Sequence, residues 1–278
     1  MDVRGLDVKK IILILFFCLM IKVEANAFTL DLRGWSQISD KHFKVVFKKG
    51  MSENVPRGIL NKAEDYYSTI ANRIGYERYQ NFWTWDDRVP IVYFSSQEEF
   101  AKTTGRPAWS KGFSISHLSS VNFRMIVTYQ GQEDFLKTTL PHEISHLILH
   151  DFIGANRYIP SWFDEGVAQL EEERDDQNHK TILANLVRSG QSIPLLILQN
   201  LNSNAQPDAR YASIFYAESL YIVDFLVKTY GKEDFINLCR NLRNGKNFDE
   251  AFKSSYYPAV ESMAALQDKW IQYMMHYL

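Results

Sequence analysis

Short apolar runs punctuate the first half of the chain at the spacing that is typical of strands. Three runs are rich in Val, Ile and aromatic residues and cover residues 42–47, 89–94 and 121–129. Such residues favour the pleated, buried surface of a sheet. Residues 28–40 show no regular pattern. The chain therefore predicts three strands, preceded by an irregular segment.

Helical spacing appears between these runs. Residues 52–74 carry apolar side chains at every third or fourth position, and Gly75 follows as a natural stop. A second helix is predicted to begin after Ser95 or Ser96, either of which can cap it, and to end near residues 105–107.

After Gly131 the pattern becomes helical throughout. Pro141 either kinks the first of these helices or marks its true start. The predicted helices cover residues 133–151, 160–173, 183–188, 209–230, 232–242 and about 260–277. Strands early and helices late predict an α+β fold. We expect one domain over residues 28–278, with a sheet lobe of about 28–131 and a helical lobe of about 132–278.

The N-terminus has the pattern of a secretory signal. Lys9 and Lys10 precede an apolar run at residues 11–21, which is shorter than the roughly 20 residues that span a bilayer. Small residues then occupy both ends of the triplet 25–27, as signal peptidase requires. We expect a signal peptide at residues 1–27 and an exported protein, periplasmic or secreted. The alternative is an uncleaved anchor.

Composition adds limits on partners. The chain is 46% hydrophobic and 23% charged with a net charge of −2, which is ordinary for a globular protein. This balance gives no electrostatic footprint for nucleic acid. No second long apolar run follows the first, so we expect no stable membrane insertion after signal cleavage. The oligomeric state is not predicted.

The strongest chemical signal is the sequence His142-Glu143-Ile144-Ser145-His146. Residues four apart on a helix lie on the same face, so both imidazoles can reach one Zn²⁺ ion. The glutamate beside the first histidine can act on water as a general base without binding the metal. Neighbouring Leu and Ile residues predict a buried helix, where unpaired polar groups are costly.

A catalytic zinc site needs a third protein ligand, and the segment 159–168 offers it. Glu165 lies near the start of a predicted helix, and Asp164 is its rival. Gly166 is small and is expected to let this helix pack closely on the helix of the motif. The acidic run 171–173 is expected to be a solvated face, and His150 a charge near the helix C-terminus.

These motifs resemble those of the gluzincin branch of the zincin metallopeptidases. Eighteen residues separate His146 from Glu165, as in the gluzincin aminopeptidases. The residues that flank both motifs are similar to those of the small peptidase MA-like domains. The likeness covers most of residues 40–232. It implies a two-lobed zincin-like domain with Zn²⁺ as cofactor, held by His142, His146 and Glu165, and Glu143 as base.

The resemblance also implies a substrate and an oxyanion donor. It points to peptide or protein substrates, with Tyr216 first and Tyr211 second as donors, and with strand 121–129 lending its edge to the substrate. That strand lacks the acid with which aminopeptidases bind a free N-terminus, so an endopeptidase is favoured. Gln169 replaces an acid common in relatives and is expected to accept a hydrogen bond from a ligand imidazole.

Two other functions remain open at this stage. One is a binding or scaffolding domain of the cell envelope that keeps the fold without turnover. The other is a zinc amidase that acts on cell-wall material. Glu143 argues against the first alternative, because a non-catalytic domain has no chemical need for that carboxylate.

Overall fold

The computed structural model describes residues 30–76, 83–107, 110–118, 121–132, 134–154, 156–174, 176–201 and 209–276. The predicted signal peptide at residues 1–27 lies outside this part of the chain. Within it, no helix is both long enough and apolar enough to cross a bilayer.

A five-stranded mixed sheet forms the N-terminal lobe. Its strands are β1 Trp35–Ser39, β2 Phe43–Lys48, β3 Val89–Phe94, β4 Gly112–Leu118 and β5 Val121–Tyr129. The order across the sheet is β1-β2-β3-β5-β4. Strands β2, β3 and β5 are parallel, whereas β1 and β4 run antiparallel at the two edges.

The three predicted strands are confirmed, and the two edge strands were missed. The segment of β1 was expected to be irregular, because three of its five residues are polar and no long apolar run marks it. In the structure its side chains are half-buried or exposed. Strand β4 likewise mixes serines with apolar residues. Edge strands make ladder hydrogen bonds on one side only and face solvent more, so their apolar signal is weak.

The described residues also form ten α-helices and a 3₁₀ turn at Trp85–Asp87. They are α1 Asn54–Ile74, α2 Gln97–Thr104, α3 Thr139–Ile153, α4 Ser161–Leu170, α5 Asp176–Arg188, α6 Leu195–Leu198, α7 Ala209–Tyr230, α8 Lys232–Arg243, α9 Phe248–Tyr256 and α10 Met263–Met275. The α+β prediction is confirmed: a small sheet precedes a mainly helical region.

Several predicted boundaries were wrong. Helix α3 starts at Thr139, so Pro141 lies in the first turn, where its missing N–H costs nothing. Helix α9 was missed, although Asn247 and Glu250 form a capping box at its start. That pair is readable in the sequence as a helix N-terminus.

The main core lies between one face of the sheet and the helices. Alternate strand residues such as Val45, Ile91 and Ile126 face the helices, and α1 packs against β2 while α3 packs against β4. The other face carries a smaller apolar cluster that α2 covers in part. Helix α3 is thereby fixed against the sheet and the helical lobe at once.

Candidate metal centre

Helix α3 presents the two histidines of the motif on one of its faces. Leu140, Ile144 and Leu147 are fully buried in the core, as the sequence predicts. His142 and His146 project from the same side, and their Nε2 atoms lie 3.1 Å apart. Two nitrogens that bind one Zn²⁺ at about 2.0–2.1 Å in a tetrahedral arrangement have a similar separation.

Helix α4 brings Glu165 to the same point. Its Oε2 atom lies 3.5 Å from Nε2 of His142 and 3.8 Å from Nε2 of His146. The three predicted ligand residues therefore converge in the structure. Asp164, the rival for the third position, turns instead to the far side of the His146 ring.

Each imidazole also contacts a carboxylate through its Nδ1 atom, on the side of the ring away from the proposed metal. Nδ1 of His142 lies 2.8 Å from Oε1 of Glu172, and Nδ1 of His146 lies 2.8 Å from Oδ1 of Asp164. Ionised carboxylates only accept hydrogen bonds, so each Nδ1 must donate. When each ring is neutral, its lone pair is therefore on Nε2, which is the tautomer that metal ligation needs.

Electrostatics make the point between these ligands attractive to a cation. Burial lowers the pKa of His142, but hydrogen bonds with Glu165 and Glu172 outweigh it and raise this pKa to about 10. The pKa of His146 is raised to about 9, since Asp164 and Glu165 outweigh the effect of burial. Two nitrogens, one carboxylate oxygen and this excess of negative charge fit a divalent metal such as zinc.

Glu143 and Tyr216 are the predicted general base and the first predicted oxyanion donor. Glu143 follows His142 on α3 and is buried. Burial and the charges of Glu165 and Glu143 raise the pKa of Tyr216 to about 12. Tyr211 lies five residues earlier on α7, about 140° around the helix axis, and packs against the core.

The acidic run 171–173 was wrongly expected to be a solvated face. Glu172 contacts His142 as described, and Glu171 is buried and pairs with Arg73 at 3.0 Å. Only Glu173 is exposed, with its Oε1 3.0 Å from the hydroxyl of Tyr66. The run follows the end of α4 and folds back over the motif, which spacing alone does not reveal.

Two other residues act differently from the sequence-based expectation. Gln169 does not accept from a ligand imidazole: its Nε2 donates to the Tyr216 carbonyl oxygen at 2.9 Å. His150 was expected to serve as a helix-end charge. Its Nε2 lies 2.8 Å from Oδ2 of Asp164, the carboxylate that also holds His146. The sequence does carry a signal for this contact, because His142, His146 and His150 are spaced four residues apart and therefore lie on one face of the helix.

The free sheet edge also differs from the prediction. Strand β5 lies between β3 and β4, so neither of its edges is open to a substrate. Strand β4 has a strand partner on one side only among the described residues, and α3 packs against it. The open strand edge in contact with α3 therefore belongs to β4. Gly166 likewise packs against α7 rather than against α3.

Comparison with known proteins identifies the family. The model of the Peptidase MA superfamily matches residues 89–276. Protein SprT of Pseudomonas syringae pv. tomato (strain ATCC BAA-871 / DC3000) is 30% identical over 76 residues, which cover 25% of this chain and 46% of that protein. Protein SprT of Pseudomonas syringae pv. syringae (strain B728a) is 31% identical over 78 residues, covering 26% and 48%.

The chain thus spans about half the length of the curated relatives that it matches. The family match covers more of the chain than these two alignments do, because it includes strands β3, β4 and β5 and the helical lobe. It supports a metallopeptidase-like function and implies a metal, usually zinc. The chain belongs to the Peptidase MA superfamily.

Proposed function

We propose that this chain is a zinc-dependent endopeptidase. The observation that carries the proposal is the convergence of Nε2 of His142, Nε2 of His146 and Oε2 of Glu165 within 3.1–3.8 Å of one another. Three protein ligands of this kind are the usual set for a catalytic zinc, which keeps a further position for water or substrate. His142, His146 and Glu165 are the proposed ligands.

Each surrounding residue has a role in this proposal. When bound, zinc supplies Lewis acidity, which acidifies water and polarises a carbonyl group. Glu143 accepts the proton of the attacking water and returns it to the leaving amine. Tyr216 donates a hydrogen bond to the carbonyl oxygen as negative charge develops there. Its raised pKa keeps its hydroxyl protonated at neutral pH.

The edge of β4 that has no strand partner among the described residues supports a peptide as the substrate. An extended peptide can add to a sheet edge through main-chain hydrogen bonds, with little demand on its sequence. Strand β4 contacts α3, the helix that carries both proposed histidine ligands, so we assign the substrate peptide to this edge. The edge continues along seven residues, Gly112–Leu118, which suits binding inside a chain rather than at its end. The N-terminal pattern adds the proposal that the enzyme is exported.

The test compares wild type with Glu143→Gln on an unfolded generic protein. Both should bind one equivalent of zinc, because Glu143 is not a proposed ligand. Only wild type should cleave, with the variant at least about 10²-fold slower, as expected for loss of a general base. Equal cleavage by both proteins would refute the proposal.

The same experiment separates the alternatives. A scaffolding domain would bind zinc and leave the protein substrate intact in both forms. A cell-wall amidase would also leave it intact but would release soluble fragments from purified cell-wall material, again only with Glu143 present.

A further inference from the structure

Each of the two proposed histidine ligands contacts its own carboxylate, and the second oxygen of each carboxylate binds another side chain. Asp164 uses Oδ1 for His146 and Oδ2 for Nε2 of His150, each at 2.8 Å. Glu172 uses Oε1 for His142 at 2.8 Å and Oε2 for a guanidinium nitrogen of Arg174 at 2.7 Å. The same arrangement therefore occurs twice, on residues from different segments.

We propose that His150 and Arg174 are positioning residues of the metal centre, which act on His146 through Asp164 and on His142 through Glu172. The proposal rests on the proposed function and deepens it. Neither residue belongs to the His-Glu-x-x-His motif, and neither reaches the point where the three ligand atoms meet.

Geometry explains why the distal contacts matter. A carboxylate with one hydrogen bond can still rotate about its last torsion, and the imidazole that it holds can rotate with it. A second donor on the other oxygen fixes the carboxylate plane, and thereby fixes the direction of the ligand lone pair. Residues that hydrogen-bond to metal ligands typically change metal affinity about 10–100-fold when they are replaced.

Arg174 is also tied into the rest of the site. It donates from Nη1 to Oε1 of Gln169 at 3.3 Å, and the Gln169 side chain donates in turn to the Tyr216 carbonyl oxygen. A continuous hydrogen-bonded path therefore runs from His142 to α7. His150 is simpler, because it lies one turn beyond His146 on the same rigid helix.

Charge and geometry predict opposite results for Arg174. Removing a positive charge near a cation site strengthens cation binding if Coulomb repulsion alone matters. Losing the anchor of Glu172 weakens binding if positioning matters. The sign of the change therefore distinguishes the two effects without any assumption about its size.

The test measures the affinity of the full-length protein for Zn²⁺ alone, by competition with a chelator of known affinity. We expect His150→Ala and Arg174→Ala to weaken zinc binding by roughly tenfold each, at the low end of the range for such contacts. His150→Gln and Arg174→Lys keep a donor and should recover part of the loss. The thermal unfolding of the zinc-free variants shows whether each one is folded.

Matched controls come from exposed residues of the same types. Within the described part of the chain, the side chain of His276 binds a carbonyl oxygen of its own helix, and that of Arg57 binds Glu53 one turn away. Alanine at either position should leave zinc affinity unchanged. In an Asp164→Ala background, His150→Ala should add nothing further, because its effect passes through Asp164.

Each outcome has a clear meaning. Wild-type zinc binding with unchanged affinity in both alanine variants overturns the positioning role but leaves the proposed function intact. Tighter zinc binding in Arg174→Ala overturns that role for Arg174. Absence of stoichiometric zinc binding by wild type overturns both proposals. A full effect of His150→Ala in the Asp164→Ala background would show that His150 does not act through Asp164.

Discussion

Replacing Gly166 with alanine should damage both the fold and the metal centre. Gly166 follows the proposed ligand Glu165 on α4, at its contact with α7. A Cβ atom there would lie 2.2 Å from the carbonyl oxygen of Ser219 and 2.6 Å from Cγ2 of Val223. An ordinary C···O contact is about 3.3 Å or longer, so the two helices must separate by about 1 Å.

The energetic cost follows from what lies in the way. The Ser219 oxygen is main chain and cannot turn aside, so we take the upper part of the overpacking range, about 3 kcal/mol. Alanine gains about 1 kcal/mol over glycine in a helix interior. The net loss is about 2 kcal/mol, or about 4–8 °C in the melting temperature for a domain of this size.

Thermal unfolding and zinc competition test this prediction together. Gly58 provides the matched control: it lies inside α1, and a Cβ there would meet nothing within 4 Å. Gly58→Ala should raise the melting temperature slightly and leave zinc affinity unchanged. Gly166→Ala should lower both, because displacement of α4 carries Glu165 with it. A Gly166→Ala variant as stable as wild type, with full zinc affinity, would refute the reasoning.

Three further changes have defined outcomes. Arg124→Leu removes the buried cation 2.8 Å from Asp151, whose carboxylate keeps hydrogen bonds from Tyr76 and Trp83 but loses its charge partner. Urea unfolding should therefore show a loss of about 3–5 kcal/mol, and a loss under about 1 kcal/mol would contradict this. Burial raises the pKa of Glu218 to about 8, although its oxygens accept from the Ile193 N–H. Its folded pKa exceeds its unfolded value, so wild type should lose stability from about pH 4.5 to pH 8, whereas Glu218→Gln should lose less; parallel pH profiles would contradict this. Removing zinc with a chelator should lower the melting temperature of wild type, but not that of His142→Ala, because a bound ligand stabilises only the state that binds it.

The metal motif was predictable because its chemistry is local. His142, Glu143 and His146 share one helix, so their spacing alone fixes their relative positions. Glu165 required a long-range inference, which the resemblance supplied and which the geometry now supports. Strands β2, β3 and β5 were predictable for a similar reason, since buried parallel strands are apolar along most of their length.

The residues behind the ligands were not predictable in the same way. Glu172 reaches His142, and Arg174 reaches Glu172, because the chain turns back after α4, and the spacing of residues along the sequence does not reveal such a turn. Asp164 was considered only as a metal ligand, although its position beside Glu165 places it on another side of the helix. The edge strand β4 was missed because its serines interrupt the run of apolar residues.

The central claim is that His142, His146 and Glu165 hold one zinc ion. X-ray absorption spectroscopy of the protein loaded with one equivalent of zinc tests it most directly. We predict a shell of nitrogen and oxygen ligands at about 2.0–2.1 Å, with two imidazoles. In Glu165→Ala the imidazole signal should persist while one oxygen ligand is lost or replaced by water and zinc affinity falls. An unchanged zinc shell and unchanged affinity in Glu165→Ala, or sulfur coordination in wild type, would contradict the account.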